Sequence, residues 1–235
     1  MCIRDRPYRE TSLLVNAYTD TRGRADFLVK GIRTARNRAL ASLFHPLSIL
    51  DTRTYFHAKR ELNQLKEYQK VYLLEDLCSD ARKSSIGLFI SELLYKTVRE
   101  SEENRELFRF VTDTILGLDR AGDELADLHL YFAVRLCRYL GYEPDAESFL
   151  NSRIYFHMGK ACFCETPDPM SGAFDQEDSL LLHQILSCPA GQIRPLSCSG
   201  SRRHHFLHSM ISYYGYHLGK APEIRSLDVL HQVFL

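Results

Sequence analysis

The pattern of apolar and polar positions splits the chain into a front with period two and a back with a period near three and a half. Over 24–30, Ala25, Phe27 and Val29 fall on one face and Asp26, Leu28 and Lys30 on the other, the alternation of a half-buried strand. Residues 12–19 are rich in β-formers and read as a strand as well. Asp20-Thr-Arg-Gly23 lies between them as a turn, with Asp opening it and Gly supplying a permissive backbone, so the two strands form a hairpin. A third extended segment covers 43–55, with Leu47 and Ile49 on one face and Pro46 confining its start to an edge. Lys59-Arg60 make the next turn, and 61–68 is a fourth, more polar strand. Short strands at this spacing predict a small closed sheet or barrel.

From Val71 onward the helical period takes over. Ile86, Phe89, Ile90, Leu93, Leu94 and Val98 form one apolar stripe. A second helix, from about Arg105 to Leu118, turns Leu107, Phe108, Val111, Ile115 and Leu118 inward. A third begins near Asp123, carries Leu125, Leu128, Phe132, Leu136, Tyr139 and Leu140, and ends at Gly141, with Pro144 preventing continuation. The short connections predict an antiparallel bundle of these three. Residues 142–174, with Pro144, Gly159, Pro167, Pro169 and Gly172, are an irregular insert in which 153–156 and 161–164 pair as a hairpin. Asp175 caps a helix through Leu186, another runs from about Ser201 to Leu218 before Pro222, and 227–235 is a last short helix. The expected organisation is α+β: a strand-built domain at 1–70 and a helical domain at 71–235.

Composition changes this picture little, but charge changes it a great deal. With 45% apolar and 26% charged residues, the 235-residue chain is ordinary for a globular protein. Its formal net charge of +0 conceals an asymmetry: residues 1–70 carry 14 Lys+Arg against 7 Asp+Glu, whereas 71–235 carry 16 against 23. The front attracts phosphate and the back does not. No apolar run approaches the roughly 18 to 20 residues of a membrane helix. The start, Met-Cys-Ile-Arg-Asp-Arg, lacks the apolar core of a secretory leader, so a cytoplasmic location is expected, with no membrane partner. The odd set of cysteines, Cys2, Cys78, Cys137, Cys162, Cys164, Cys188 and Cys198, argues against a disulfide framework.

Candidate chemistry narrows to the basic front. The chain has no Gly-rich phosphate loop followed by Lys-Ser/Thr, no dinucleotide fingerprint, no nucleophile elbow and no zinc-protease pattern. The acids of 100–106 suit a helix cap or a solvated face better than acid–base catalysis. His157, Cys162, Cys164, Cys188, Cys198, His204 and His205 invite zinc, but two thiols one residue apart and two more ten apart do not match paired ligand spacing. Small buried cysteines and helix-surface histidines explain them with fewer coincidences. His204-His205 beside Arg202-Arg203 could touch phosphate, but a basic helix start in a bundle accounts for them better. The expectation is no catalytic residue, no cofactor and no metal: a non-enzymatic protein.

Gly31 ends the strand cheaply and opens a loop with Arg33, Arg36 and Arg38 and no acid among them. Together with Arg22, Arg24, Lys30, Arg53, Lys59 and Arg60, these residues lie at strand ends or in loops and form the expected DNA-binding set. Tyr18, Phe27, Tyr55 and Phe56 stand among them; Phe27 suits the barrel core, whereas Tyr55 and Phe56 beside a turn are more open to bases. Aromatics on such a barrel stack bases while cations track the backbone, a sequence-independent and salt-sensitive mode. The alternative is a protein–protein adaptor whose basic barrel grips an acidic peptide.

Tyr8-Arg-Glu-Thr-Ser-Leu-Leu-Val15, Tyr18-Thr-Asp, Gly23-Arg, Leu28-Val-Lys-Gly-Ile-Arg33 and Phe44-His-Pro-Leu-Ser-Ile-Leu50 resemble the RecO family of bacterial recombination-repair proteins, especially its Bacteroides-like forms. The similarity continues through Leu88-Phe-Ile-Ser-Glu-Leu-Leu-Tyr95, Glu103-Asn104 with Leu107-Phe108, Leu140-Gly-Tyr142 and Ser226-Leu-Asp-Val-Leu230. The resemblance implies an N-terminal OB-fold barrel followed by an all-α domain. It further implies a recombination mediator that binds single- and double-stranded DNA and anneals complementary strands. With RecR, such a mediator loads RecA onto strands coated by single-strand-binding protein, whose acidic C-terminal tail should dock on the helical domain. The matching basic positions are Lys30, Arg33, Arg36 and Arg38. Two departures stand out. Many relatives carry a four-cysteine zinc site after the Leu-Gly-Tyr helix; here Cys162 and Cys164 sit in that neighbourhood, but a second pair of suitable spacing is missing. Residues 1–6 look like a truncation or fusion scar, too short for the family's first strand, so the barrel is expected to lack one strand and expose an edge.

Overall fold

A computed structural model describes residues 1–54, 62–122, 125–167 and 174–234. The chain forms two compact units, Met1–Arg120 and Ala121–Leu235.

In the first unit, β1 (Cys2–Tyr8), β2 (Ser12–Thr19) and β3 (Gly23–Val29) form an antiparallel meander. A helical turn, α1 (Arg38–Ala41), follows, and then β4 (Leu50–Thr54) and β5 (Asn63–Lys70). The sheet order is β1-β2-β3-β5-β4, with β5 parallel to β3, an OB-like arrangement. Alternation puts Leu13, Val15, Phe27, Val29 and Leu65 on the inner face, where Cys2, Ile32 and Phe44 join them in one buried cluster.

Two expectations about the strands need correction. The first strand is present: β1 pairs along β2 from Arg4 opposite Asn16 to Tyr8 opposite Ser12. Its sequence lacks alternation because only Cys2 and Ile3 are buried apolar positions, so the ladder of β2 makes it a strand rather than its own pattern. Its edge is met by the chain ahead of β4, with Cys2 N–H donating to Ser48 O and Leu47 N–H to Cys2 O, both at 2.8 Å. The second correction concerns the segment expected at 43–55: of its described residues, 43–54, only Leu50–Thr54 is strand. Phe44 and Leu47 are both buried, and the backbone must turn to seat them; Leu47 adopts a φ of 65° to do so.

Three helices complete this unit: α2 (Glu75–Ser79), α3 (Ala81–Thr97) and α4 (Arg105–Arg120). Asp80 caps α3 by accepting from the amides of Arg82 and Lys83. The stripe read from the sequence, Ile86 through Val98, is buried throughout, as are Leu107, Val111, Ile115 and Leu118 on α4. The Lys83 ammonium is buried but satisfied, donating to Asp76 at 2.8 Å and to Asp119 O at 2.7 Å. Ser91 of α3 donates to Ile3 O of β1, tying helix to barrel.

The second unit contains α5 (Leu128–Tyr139), the hairpin β6 (Tyr155–His157) and β7 (Cys162–Cys164), and α6 (Gln176–Leu186), α7 (Gly200–Leu218) and α8 (Ser226–Val233). The expected three-helix bundle does not form, because α5 belongs to this unit and packs with α6 and α7. It is buried at every position from Leu128 to Val134, and such a helix needs neighbours all round. Asp175 and Ser199 cap α6 and α7, and Gly219, at φ 78°, ends α7. Among the described residues no helix is long and apolar enough to cross a membrane.

Candidate nucleic-acid interface

Gly31, at φ 66°, turns the chain out of β3, and the expected basic loop winds instead into a 3-10 turn (Ala35–Asn37) and α1. The Asn37 side chain donates from Nδ2 to Gly31 O at 2.8 Å, closing the turn on itself. The Arg33 N–H donates to Thr11 O at 2.9 Å, stapling it to the β1–β2 connection. A helical turn displays its side chains outward, so Arg33, Arg36 and Arg38 are exposed beside Lys30 at the end of β3.

The staple brings in residues that sequence reasoning missed. Arg9, at φ 53° in the β1–β2 turn, is exposed, its guanidinium 5.4 Å from the centre of the Tyr8 ring and its carbonyl 3.4 Å from Arg33. Tyr8, Arg9, Ser12, Lys30 and Gly31 line an open cleft of about 730 Å³ with Glu10, Thr11 and Leu28. Arg6 is exposed on β1, opposite Leu14. The missed signal was the turn itself: Arg9-Glu-Thr11 sits before β2 as the basic turn sits after β3, so the meander puts both at one end of the sheet. Among the described residues, Arg9, Lys30, Arg33, Arg36 and Arg38 have no carboxylate within 4.0 Å.

The rest of the expected set lies elsewhere. Arg24 is half-buried, its guanidinium donating to Tyr95 O at 2.8 Å and Val98 O at 2.9 Å and lying 4.7 Å from the Tyr95 ring centre. It neutralises the carbonyl end of α3 and so serves the fold. Arg22 is exposed in the β2–β3 turn, where its N–H donates to Thr19 Oγ1. Arg53 on β4 stands opposite Glu67 of β5 and pairs with it at 3.9 Å, both side chains well exposed. Lys59, Arg60, Tyr55 and Phe56 lie outside the described residues. Phe27 is in the barrel core. Tyr18 is buried as well: it stacks on Phe108 of α4 with centroids 6.2 Å apart, and burial pushes its pKa up to about 12. Neither ring is open to a base.

The second unit holds a different polar cluster. Arg202 of α7 binds Asp175 at the start of α6 and Asp178 within it, and Asp178 is fully buried. Ser209 donates to Asp178 Oδ2 at 2.5 Å and His205 Nδ1 lies 2.9 Å from it. Burial pushes the Asp178 carboxyl up from its ordinary range, against the pull of Ser209 and Arg202. Asp175, Asp178 and His205 converge closely enough for a metal ion. The guanidinium already fills that role, so the cluster is an ion-pair joint between α6 and α7. Cys162 and Cys164 lie on one face of β7 with sulfurs 4.0 Å apart, Cys162 opposite His157. Among the described residues no cysteine belongs to a cluster of three metal-donor side chains.

A five-stranded OB-like barrel with an unneutralised basic corner, continued by helices, defines a class: a small-barrel module whose surface suits a polyanion, joined to a helical part. Residues 1–73 match the family model described as recombination protein O N terminal, and 78–227 match recombination protein O C terminal. The chain belongs to the recombination protein O (RecO) family. It is 33% identical over 228 residues to the DNA repair protein RecO of Phocaeicola vulgatus, covering 97% of this chain and 94% of that protein. The same coverage holds for DNA repair protein RecO of Bacteroides fragilis at 32% identity and of Flavobacterium psychrophilum at 27%.

Proposed function

We propose that this chain is a DNA repair protein that works without catalytic turnover, as a recombination mediator. Its barrel captures single- and double-stranded DNA at the corner formed by Arg9, Lys30, Arg33, Arg36 and Arg38. The observation that carries this reading is that these five exposed cations share one end of the sheet and, among the described residues, none has a carboxylate within 4.0 Å, although Glu10 lines the same cleft. Cations so placed bind backbone phosphate regardless of sequence and release counterions as they do. Neutralising the phosphates of two strands at once lowers their mutual repulsion, so complementary strands can pair. Tyr8, beside Arg9 in the cleft, offers a ring on which an unpaired base stacks.

In this reading the helical part recruits partners: RecR, and the acidic C-terminal tail of single-strand-binding protein, whose capture brings the mediator to coated strands and lets RecA load. The test is annealing of complementary oligonucleotides precoated with single-strand-binding protein. The wild-type chain should accelerate pairing, and a variant with Arg33, Arg36 and Arg38 all changed to Glu should not. Equal annealing by the variant would overturn the proposal. Displacement of wild-type DNA binding by an acidic peptide at matched charge would favour an adaptor instead.

A further inference from the structure

Glu10 stands in the basic cleft without a cationic partner. It is exposed and lines the cleft with Tyr8, Arg9 and Lys30, yet among the described residues no Lys, Arg or His nitrogen lies within 4.0 Å of its carboxylate. Its backbone is held from both sides. Tyr8 pairs with Ser12 across the β1–β2 turn, and Arg33 reaches both neighbours of Glu10. The Arg33 guanidinium donates to Arg9 O at 3.4 Å and its backbone N–H to Thr11 O at 2.9 Å. The basic turn that offers cations to phosphate therefore also fixes the one acid lining the cleft.

A carboxylate at this place repels the phosphates that Arg9 and Lys30 attract. While ionised it accepts hydrogen bonds and cannot donate them. Along a DNA strand the phosphate and sugar oxygens are acceptors as well, and the donors are the N–H groups of the bases. A base entering the cleft can therefore satisfy Glu10 while its flanking phosphates rest on Arg9 and Lys30. At about 730 Å³ the cleft falls within the range of small-ligand sites, about 300–1,000 Å³, and admits one base. The stacked Tyr8 ring and Arg9 guanidinium, with Leu28, supply planar and apolar surface for it.

The bases differ in what they offer a carboxylate. Guanine presents an amino group and a ring N–H side by side, a bidentate match. Cytosine and adenine present an amino group alone, and thymine a ring N–H between two carbonyls that repel the acid. In a duplex these edges are spent on pairing. We propose that the cleft is a base-reading pocket in which Glu10 accepts from the Watson–Crick edge of one unpaired base, guanine first and thymine last. The pocket rests on DNA capture at the basic corner and adds to it a preference for unpaired strand and for base.

The test measures fluorescence anisotropy of the full chain at one moderate salt concentration. It compares an all-thymine strand with the same strand carrying a single central guanine, which cannot fold on itself. The wild type should bind the guanine strand about fivefold tighter, the low end for a bidentate base contact, and pairing each strand with its complement should erase the difference. Glu10→Ala should bind both single strands alike, with affinity for the all-thymine strand at or above the wild type's, because a negative charge has left the corner. Asp51→Ala, outside the cleft on β4, where the carboxylate accepts from Gln69 at 3.1 Å, should keep the preference. Equal affinity of the wild type for the two strands overturns the proposal, as does a preference that survives Glu10→Ala. A dependence on Glu10 seen only with the RNA form of the strands would assign the carboxylate to a 2′-hydroxyl and overturn it too. Steep salt dependence on the all-thymine strand is read in the same assay, so failure of the base contact is told apart from failure of the corner.

Discussion

Replacing Arg33, Arg36 and Arg38 together with Gln tests the basic corner at its most quantitative point, the salt dependence of DNA binding. The three side chains are exposed and have no ion-pair partner among the described residues, so their loss should leave the fold alone. Each phosphate neutralised contributes about −0.7 to the slope of log affinity against log salt on a single strand. Five cations at the corner therefore give a slope of about −3.5, and the two that remain, Arg9 and Lys30, give about −1.4. Raising salt from about 50 to 200 mM should weaken the wild type about a hundredfold and the variant only about sevenfold. Fluorescence anisotropy on a labelled single strand across a salt series reads both slopes, and a melting curve confirms that the variant is folded. Arg53→Gln is the control: it leaves the corner intact and should leave the slope within error. An unchanged slope in the triple variant, or an equal drop in the control, would refute the assignment of the corner.

Arg24→Ala should destabilise the first unit by about 2 kcal/mol in urea denaturation, because two charge-assisted bonds to the end of α3 and a cation–π contact are lost together. Its salt slope for DNA should match the wild type; a stability change below about 0.5 kcal/mol, ordinary for a surface position, would remove Arg24 from the fold's framework. Tyr8→Ala should cost single-strand affinity about 1–3 kcal/mol at fixed salt with little change in slope, and an unaffected affinity would exclude base stacking in the cleft. Burial drives the pKa of His129 down to about 3, so the folded state stays neutral while the unfolded state takes up a proton as pH falls through about 6.5. The stabilisation is therefore complete above that pH and shrinks on acidification, by about 3 kcal/mol at pH 4. Melting temperatures between pH 7 and 4 should show this limb and His129→Leu should flatten it; a parallel limb in the variant would place the proton elsewhere.

What the sequence revealed and what it hid follow from the range of the forces involved. Periodicity and caps are local: they located α4, α6, α7 and the hairpin of β6 and β7 within a residue or two, down to Asp175 as the cap of α6, and they gave the buried stripe of α3. Strand β1 was hidden because its pattern is supplied by the partner ladder, and 43–49 was misjudged because burial of Phe44 and Leu47 demands a turn that alternation does not signal. Charge is visible in sequence but its partner is not. Arg24 and Arg33 are equivalent as letters, yet Arg24 is consumed by carbonyls 71 and 74 residues along the chain, while Arg33 stays exposed at a turn stapled to Thr11. The same staple explains why Arg9 went unnoticed: its place beside Lys30 exists only once β1, β2 and β3 have paired. A surface of positive charge is thus a tertiary property, read by asking which cations the fold leaves unspent. By that criterion, among the described residues, Arg24 is spent on the fold, whereas Arg9, Lys30, Arg33, Arg36 and Arg38 stand without a carboxylate within 4.0 Å, the condition that the proposed exchange of counterions for a strand of DNA requires.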